Sequence, residues 1–391
     1  MIDVKANRRD AGPWRAFAAG VEPDKGAPHS TAMGILGTVA LPEYTAPLAA
    51  LRARRAIAIW LLICAAMVFI MVIIGGLTRL THSGLSMVEW KPLTGFLPPM
   101  TEAEWERLFA GYRQFPEFIK LNADMTLGGF KAIFWLEFIH RVWGRAIGVV
   151  FFVPFLYFLL RGRIDRSMAP GLVVVFILGA LQGGLGWYMV KSGLIAEPDV
   201  SQYRLAAHLG AAFLIYGYLV WMGLGLLRAG ADRGRGRGLG KALWLLLILV
   251  SVTVLAGGLV AGLDAGLIHN TFPLMDGEFV PSTLLAIEPA WANFFENAST
   301  VQFEHRMLAM ATLAVAALIW LTSWRLPLSN RVRRSIHAVA LVAGIQFGLG
   351  VATLLSVVWL PLAITHQAGA LILFTTVVWA LRVIYPPRAS I

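Results

Sequence analysis

The chain has 391 residues, of which 58% are hydrophobic and 14% charged, and its mean hydropathy is +0.70. An average soluble domain carries about 25% charged residues, so this composition excludes a disordered chain, a coiled coil and an ordinary soluble enzyme, and points to a polytopic membrane protein. The single cysteine, Cys64, excludes an internal disulfide and a Cys-based metal cluster. The net charge of +11 is carried largely by loops and the N-terminal tail, as expected of a membrane protein, and does not indicate a nucleic-acid partner.

Residues 1–50 mix Pro, Gly and both charges without a sustained period and read as a mobile cytoplasmic arm, with no apolar stretch of a signal peptide. Eight apolar spans follow, over 57–77, 131–160, 170–190, 204–227, 241–263, 301–324, 335–358 and 361–384. Each is near or above the ~20 residues that a helix needs to cross the hydrocarbon, and open strands would leave backbone groups unpaired in lipid. The first interhelical loop carries a capping box, Thr101-Glu-Ala-Glu104, then Trp105, Leu108 and Phe109 at helical spacing. This predicts a short amphipathic helix, either covering a site or simply packing.

Seventeen Lys and Arg residues fall in the loops of one side, with five more in the N-terminal tail, against eight on the other side. The long loop 264–300 has none. By the positive-inside rule both termini are cytoplasmic.

The Gly/Arg stretch 229–240 divides the spans into two sets of four, and the two sets resemble each other. Gly75-Gly76-Leu77 matches Gly257-Gly258-Leu259, and Glu137-Phe-Ile-His140-Arg141 matches Gln302-Phe-Glu-His305-Arg306. Gln182-Gly-Gly-Leu-Gly186 matches Gln346-Phe-Gly-Leu-Gly350, and His208 matches His366. An even number of spans per copy gives a parallel repeat about an axis along the membrane normal. The expected fold is an all-α integral membrane protein, eight transmembrane helices as two parallel-repeat four-helix bundles. Its parts are an arm at 1–55, a first half at 56–228, a linker at 229–240 and a second half at 241–391.

His140, His208 and His305 lie 20 or 21 residues before the basic end of their spans, and His366 lies 16 to 22 before Arg382 and Arg388. At 1.5 Å per residue that is about 30 Å, the thickness of the hydrocarbon. All four histidines are therefore expected near the outer interface. Histidine pairs on facing helices hold a haem iron from both sides, so two pairs suggest two porphyrin sites; histidines that merely bridge helices are the alternative. His29 and His337 are expected to have no such role, and His82 and His269 read as solvated loop histidines, with lid or propionate contacts the alternative. Glu137 lies three residues before His140, on the same helical face. It is either a functional carboxylate or the partner of Arg141 or Arg145. The second copy has Gln302 there, which suggests one reactive and one supporting site. Arg79, Arg204, Arg141 and Arg306 are candidates for propionate contacts, or for interface snorkelling.

These residues resemble the haem A synthase family, mainly its proteobacterial and mitochondrial branch. The resemblance is carried by Gly75-Gly-Leu-Thr-Arg-Leu-Thr-His-Ser-Gly-Leu-Ser-Met-Val-Glu-Trp-Lys-Pro92, Gln182-Gly-Gly-Leu-Gly-Trp-Tyr-Met189, Phe303-Glu-His-Arg306 and Thr365-His-Gln-Ala-Gly369, and covers about residues 55–385. It implies a membrane oxidoreductase that oxidises the C8 methyl of haem O to a formyl group by successive hydroxylation, giving haem A for cytochrome oxidase. It further implies that His140 and His208 flank the substrate iron, that Glu137 is the catalytic carboxylate, and that His305 and His366 ligate a haem b cofactor. Partners in view are haem O, a haem O synthase, cytochrome oxidase assembly factors and a second copy of the chain; the electron-transfer partner is not legible. The expected location is a bacterial inner membrane, with the haem sites near the periplasmic side. Some bacterial members carry a cysteine pair in the first outer loop; this chain has none, so a thiol-based role is unavailable. On the residues alone two other classes stay open. A two-haem b-type cytochrome in electron transfer usually places its histidine pairs at different depths. A transporter would share the parallel repeat.

Overall fold

The structure, a computed structural model, describes residues 45–89, 95–193, 200–227 and 237–385. The expectations for the arm up to residue 44, most of the linker, Trp90-Lys-Pro92 and Arg388 lie outside the described residues.

Among the described residues, eight long helices are apolar enough to span a membrane. They are α1 (Thr45–Leu80), α4 (Leu127–Leu160), α5 (Ala169–Gly193), α6 (Gln202–Leu227), α7 (Arg237–Gly262), α9 (Ala298–Ser323), α10 (Asn330–Leu355) and α11 (Leu360–Ile384). Three short helices, α2 (Glu102–Tyr112), α3 (Pro116–Leu121) and α8 (Asn293–Glu296), lie in the two long connections. The protein is an integral membrane protein, all-helical in its described residues. Helix α1 begins well before the first span read from hydropathy, because Ala, Leu and Arg around residues 48–56 are strong helix formers.

The sequence offers few stop signals because several helix ends lack glycine. His82 has φ 49° and closes α1 with bonds from its own N–H to Arg79 O and from Ser83 N–H to Thr78 O. Val357, at φ 53°, ends α10 in the same way, through Leu354 O and Thr353 O. Among the described residues, α4 is followed by a left-handed glycine, Gly162 at φ 60°.

Inside α4, Pro154 lacks an N–H and so frees the carbonyl of Val150. In lipid that carbonyl needs a partner. Trp60 Nε1 of α1 donates to it at 2.8 Å, and Cys64 Sγ lies 4.0 Å away. A second indole, Trp143 Nε1, donates to Met67 O at 2.9 Å, so α1 and α4 are joined by polar contacts as well as packing.

Helix packing follows one pattern twice. Helix α1 packs on α4 as α7 packs on α9, and α5 packs on α6 as α10 packs on α11. Between these groups, α1 meets α11 and α7 meets α6, with α6 and α11 in contact, where Phe213 and Phe374 meet edge to face at 5.5 Å. The largest buried cluster runs through all eight long helices. Val149, Phe152, Val153 and Leu156 of α4, like Val173, Val174 and Ile177 of α5, stay exposed on the outside of the bundle, where lipid is their solvent.

The predicted short helix is α2. Its capping box is complete, Thr101 Oγ1 accepting from Glu104 N–H and the Glu104 carboxylate accepting from Thr101 N–H at 3.1 Å. The N–H groups of Met100 and Thr101 hold that carboxylate below the usual range. Helix α2 packs on the start of α4 through Trp105, Tyr112, Phe130 and Phe134.

Candidate functional site

The four repeat-matched histidines each lie 18 to 20 residues before the C-terminal end of their helix, which puts them about 27–30 Å from it. Each packs against a glycine of the preceding long helix. A Cβ on Gly75 would meet His140 Nε2 at 3.3 Å, and one on Gly186 would meet His208 Cε1 at 3.3 Å. One on Gly257 would meet His305 Cε1 at 3.1 Å, and one on Gly350 would meet His366 Cε1 at 2.9 Å. The matched glycines of the sequence are thus cradles for imidazoles.

In the second half the rings of His305 and His366 have centroids 6.5 Å apart and are nearly perpendicular, at 86°. His305 Nδ1 lies 3.1 Å from Thr253 O. A carbonyl only accepts, so Nδ1 carries the proton and Nε2 keeps its lone pair for a metal. Gln346 Nε2 donates to His366 O at 2.9 Å and sits 3.1 Å from His366 Nδ1. Gln182 repeats this in the first half, donating to His208 O at 2.9 Å. There His140 and His208 lie within electrostatic range of each other, and His208 Nδ1 is buried with no protein partner.

This donor set fits a haem iron. Each half offers two imidazoles, and no group of three metal-binding side chains occurs among the described residues. A bare zinc ion asks for three or four protein ligands, whereas a porphyrin supplies the equatorial bonds itself and asks for axial ones.

Glu137 is buried and fully engaged. Its Oε2 accepts from Ser86 Oγ and from Met87 N–H, each at 2.7 Å, and its Oε1 pairs with Arg141. Arg141 also donates to Met87 O at 2.9 Å and to Glu89 O at 3.2 Å. The pair pins the loop that follows α1. The second half has a clamp at the matched positions with an amide in place of the carboxylate, and its bonds to the loop run the other way. Gln302 Nε2 donates to Ala265 O at 2.9 Å and Ile268 O at 2.6 Å, and its Oε1 accepts from Arg306 at 3.2 Å. Arg306 in turn donates to His269 O at 2.6 Å and Thr271 O at 2.9 Å. Arg141 and Arg306 each bind the side chain one turn earlier, Glu137 or Gln302, and carbonyls of the neighbouring loop.

Arg79 donates to Asp264 Oδ1 at 3.2 Å and so links the ends of α1 and α7. Arg204 stacks over the Tyr188 ring at 5.0 Å. His82 is exposed, as expected of a solvated loop residue, and contacts Arg79. His269 departs from that expectation: it is part-buried between Asp276 at 2.6 Å and Ser299 at 3.0 Å, and ties the loop to the start of α9. His337 accepts from Trp320 Nε1 at 2.7 Å, a packing role. Ser86, Thr253 and the two cradle-supporting glutamines were not singled out as site residues by the sequence. For the glutamines the signal existed, since Gln182 and Gln346 sit at matched positions; a backbone carbonyl such as that of Thr253 leaves none.

Residues 58–378 match the family model COX15-CtaA, described as cytochrome oxidase assembly protein. The chain is 49% identical over 350 residues to a protein of Nitrosospira multiformis named heme A synthase, covering 89% of this chain and 98% of the relative. It is 53% identical over 338 residues to one of Paramagnetospirillum magneticum with the same name, covering 84% and 94%. A third, from Rhodospirillum centenum, is 49% identical over 353 residues, covering 90% and 94%. With the family model spanning most of its length and relatives near half identity, the chain belongs to the haem A synthase family of cytochrome oxidase assembly proteins.

Proposed function

We propose that this protein is a haem A synthase that oxidises the C8 methyl of haem O to a formyl group by successive hydroxylation. The observation that carries the reading is the doubled arrangement of four glycine-cradled histidines with a single clamp carboxylate, Glu137, against Gln302 in the other half. In this reading His140 and His208 hold the substrate haem O in the first half, and His305 and His366 hold haem b in the second. Haem b bound there supplies one-electron redox chemistry.

The chain's own residues do the rest. The glycine cradles fix the imidazoles, and with them the position of the substrate ring edge. The loop 83–89 is held on Glu137 through Ser86 and Met87. Glu137 takes a proton at a carboxylate oxygen, and Arg141 stabilises its charged form between turnovers. The propionates of the substrate fall to Arg79 and Arg204, whose contacts lie at the same end of the bundle. The distribution of Lys and Arg supports cytoplasmic termini and haem sites on the periplasmic side of a bacterial inner membrane.

The test is pigment analysis. Expressed in a host that makes haem O but has no haem A synthase, the protein is expected to yield haem A on extraction and to purify with haem b. Two permanent b haems with no haem A would make it an electron-transfer cytochrome, and no haem at all would exclude both.

A further inference from the structure

An imidazole that gives one nitrogen to a metal is oriented by what its other nitrogen binds. The two halves differ in that second contact. In the second half His305 Nδ1 donates to Thr253 O at 3.1 Å, and His366 Nδ1 has Gln346 Nε2 beside it at 3.1 Å. In the first half His208 Nδ1 is buried with no partner, and none of the described residues hydrogen-bonds the His140 ring. The His140 ring also presents a different edge to its cradle. A Cβ on Gly75 would meet its Nε2 and Cδ2, whereas one on Gly257 would meet Cε1 and Nδ1 of His305.

The residue that binds His305 through its carbonyl is itself tied to the helix of His305. Thr253 lies one turn before Gly257 on α7, and its hydroxyl donates to Leu249 O at 2.7 Å. A hydroxyl has one proton, so in the second contact of that oxygen, with Thr312 Oγ1 at 3.1 Å, Thr312 is the donor. Thr312 is 5% exposed and lies seven residues after His305, on the same face of α9. Helix α9 thus meets Thr253 twice, at its carbonyl through His305 and at its hydroxyl through Thr312. The repeat puts Met71 and Ile147 at the matched positions of the first half, and neither side chain can make such a bond. A hydroxyl pair that only bridges two membrane helices is a common device. This one ends on the residue whose carbonyl holds the imidazole.

We propose that Thr253 and Thr312 are positioning residues for the His305 ring, and that this lock makes the second half retain its haem. The proposal rests on the reading that His305 and His366 hold haem b. The Thr312 bond keeps the Thr253 backbone against α9, so its carbonyl stays within reach of Nδ1 and the ring does not turn. A ring tied in this way favours a lasting axial bond. The first half lacks the lock, which suits a site where haem arrives as substrate and leaves as product.

The experiment uses the full chain, expressed in the host described above. Thr312→Val keeps the branched shape and removes the donor, Thr312→Ser keeps the donor, and Thr253→Val removes its acceptor. Two quantities are read on purified protein, and neither needs turnover. One is the rate at which haem b passes to an excess of apomyoglobin. The other is the g-anisotropy of the ferric low-spin electron paramagnetic resonance signal, which reports the angle between axial imidazole planes; the rings of His305 and His366 stand at 86°. Both valine variants are expected to lose haem b about tenfold faster and to shift the signal, while Thr312→Ser matches the wild type in both. A pair that merely bridges helices would lower the unfolding temperature in the valine variants and leave the signal in place, which overturns the proposal. Wild-type rates of haem b loss in both valine variants overturn it as well. Should Thr312→Val retain too little haem to measure, Thr253→Val decides by the same two readings. Haem b without haem A in the wild type ends the functional reading and leaves this test standing, whereas a wild type without haem ends both.

Discussion

Glu137 and Arg141 stand one turn apart on α4 and share an ion pair whose side chains are 3% and 8% exposed. A pair so buried is strongly sensitive to loss of either member, because the survivor is left charged in a low dielectric. Gln302 with Arg306 does the same mechanical work with an amide. The two functions of Glu137 can therefore be separated. Glu137→Gln keeps one acceptor oxygen where Glu137 offers two, and is expected to loosen the loop at Met87, keep haem b and lose most conversion of haem O. Glu137→Ala is expected to lose about 3–5 kcal/mol of stability as well, since Arg141 then has no counter-charge. Thermal unfolding in detergent and chromatography of extracted haems check both. Near-normal haem A from Glu137→Gln would remove Glu137 from the mechanism.

The cradles make a graded expectation. A Cβ at Gly350 meets His366 at 2.9 Å, nearer than a Cβ at Gly75 meets His140 at 3.3 Å. Gly350→Ala is expected to displace the imidazole and to lose the low-spin haem b spectrum, and the same is expected of His305→Ala and His366→Ala. Gly75→Ala is expected to keep that spectrum, because its histidine belongs to the other pair. Normal haem b in both histidine variants would sink the assignment of the second half.

Orientation is checked without any pigment. A reporter fused after residue 391 is expected to read cytoplasmic, and a tag in the loop 264–300 external. A periplasmic C-terminus would make the number of spans odd and end the parallel-repeat reading.

Hydropathy and matched motifs made the eight spans and the histidine set legible, because length in lipid and imidazole chemistry both leave marks on residue type. What they could not show is what backbone does. Arg141 and Arg306 read as candidates for propionates or snorkelling, but besides Glu137 and Gln302 they bind the carbonyls of Met87, Glu89, His269 and Thr271, which no side-chain pattern encodes. The upstream turns of α1 were hidden because they are helical by propensity and too polar for a hydropathy threshold. His269 looked solvated because its partners, Asp276 and Ser299, are brought together only by the folded loop. The Glu137–Arg141 pair was weighed from spacing alone; the Ser86 and Met87 contacts that make it a clamp cross 51 and 50 residues of sequence.

Each cradle joins a histidine to the long helix immediately before its own, so all four are contacts between successive passes of the chain. During synthesis a cradle is complete as soon as its hairpin has entered the bilayer, with no need of later helices. Closing a pair takes one hairpin more, and the pair of His305 and His366 waits for α11, the last pass to be made. The order of translation therefore assembles the first half before the second, and a chain cut short before residue 360 would carry one finished histidine pair and one orphan.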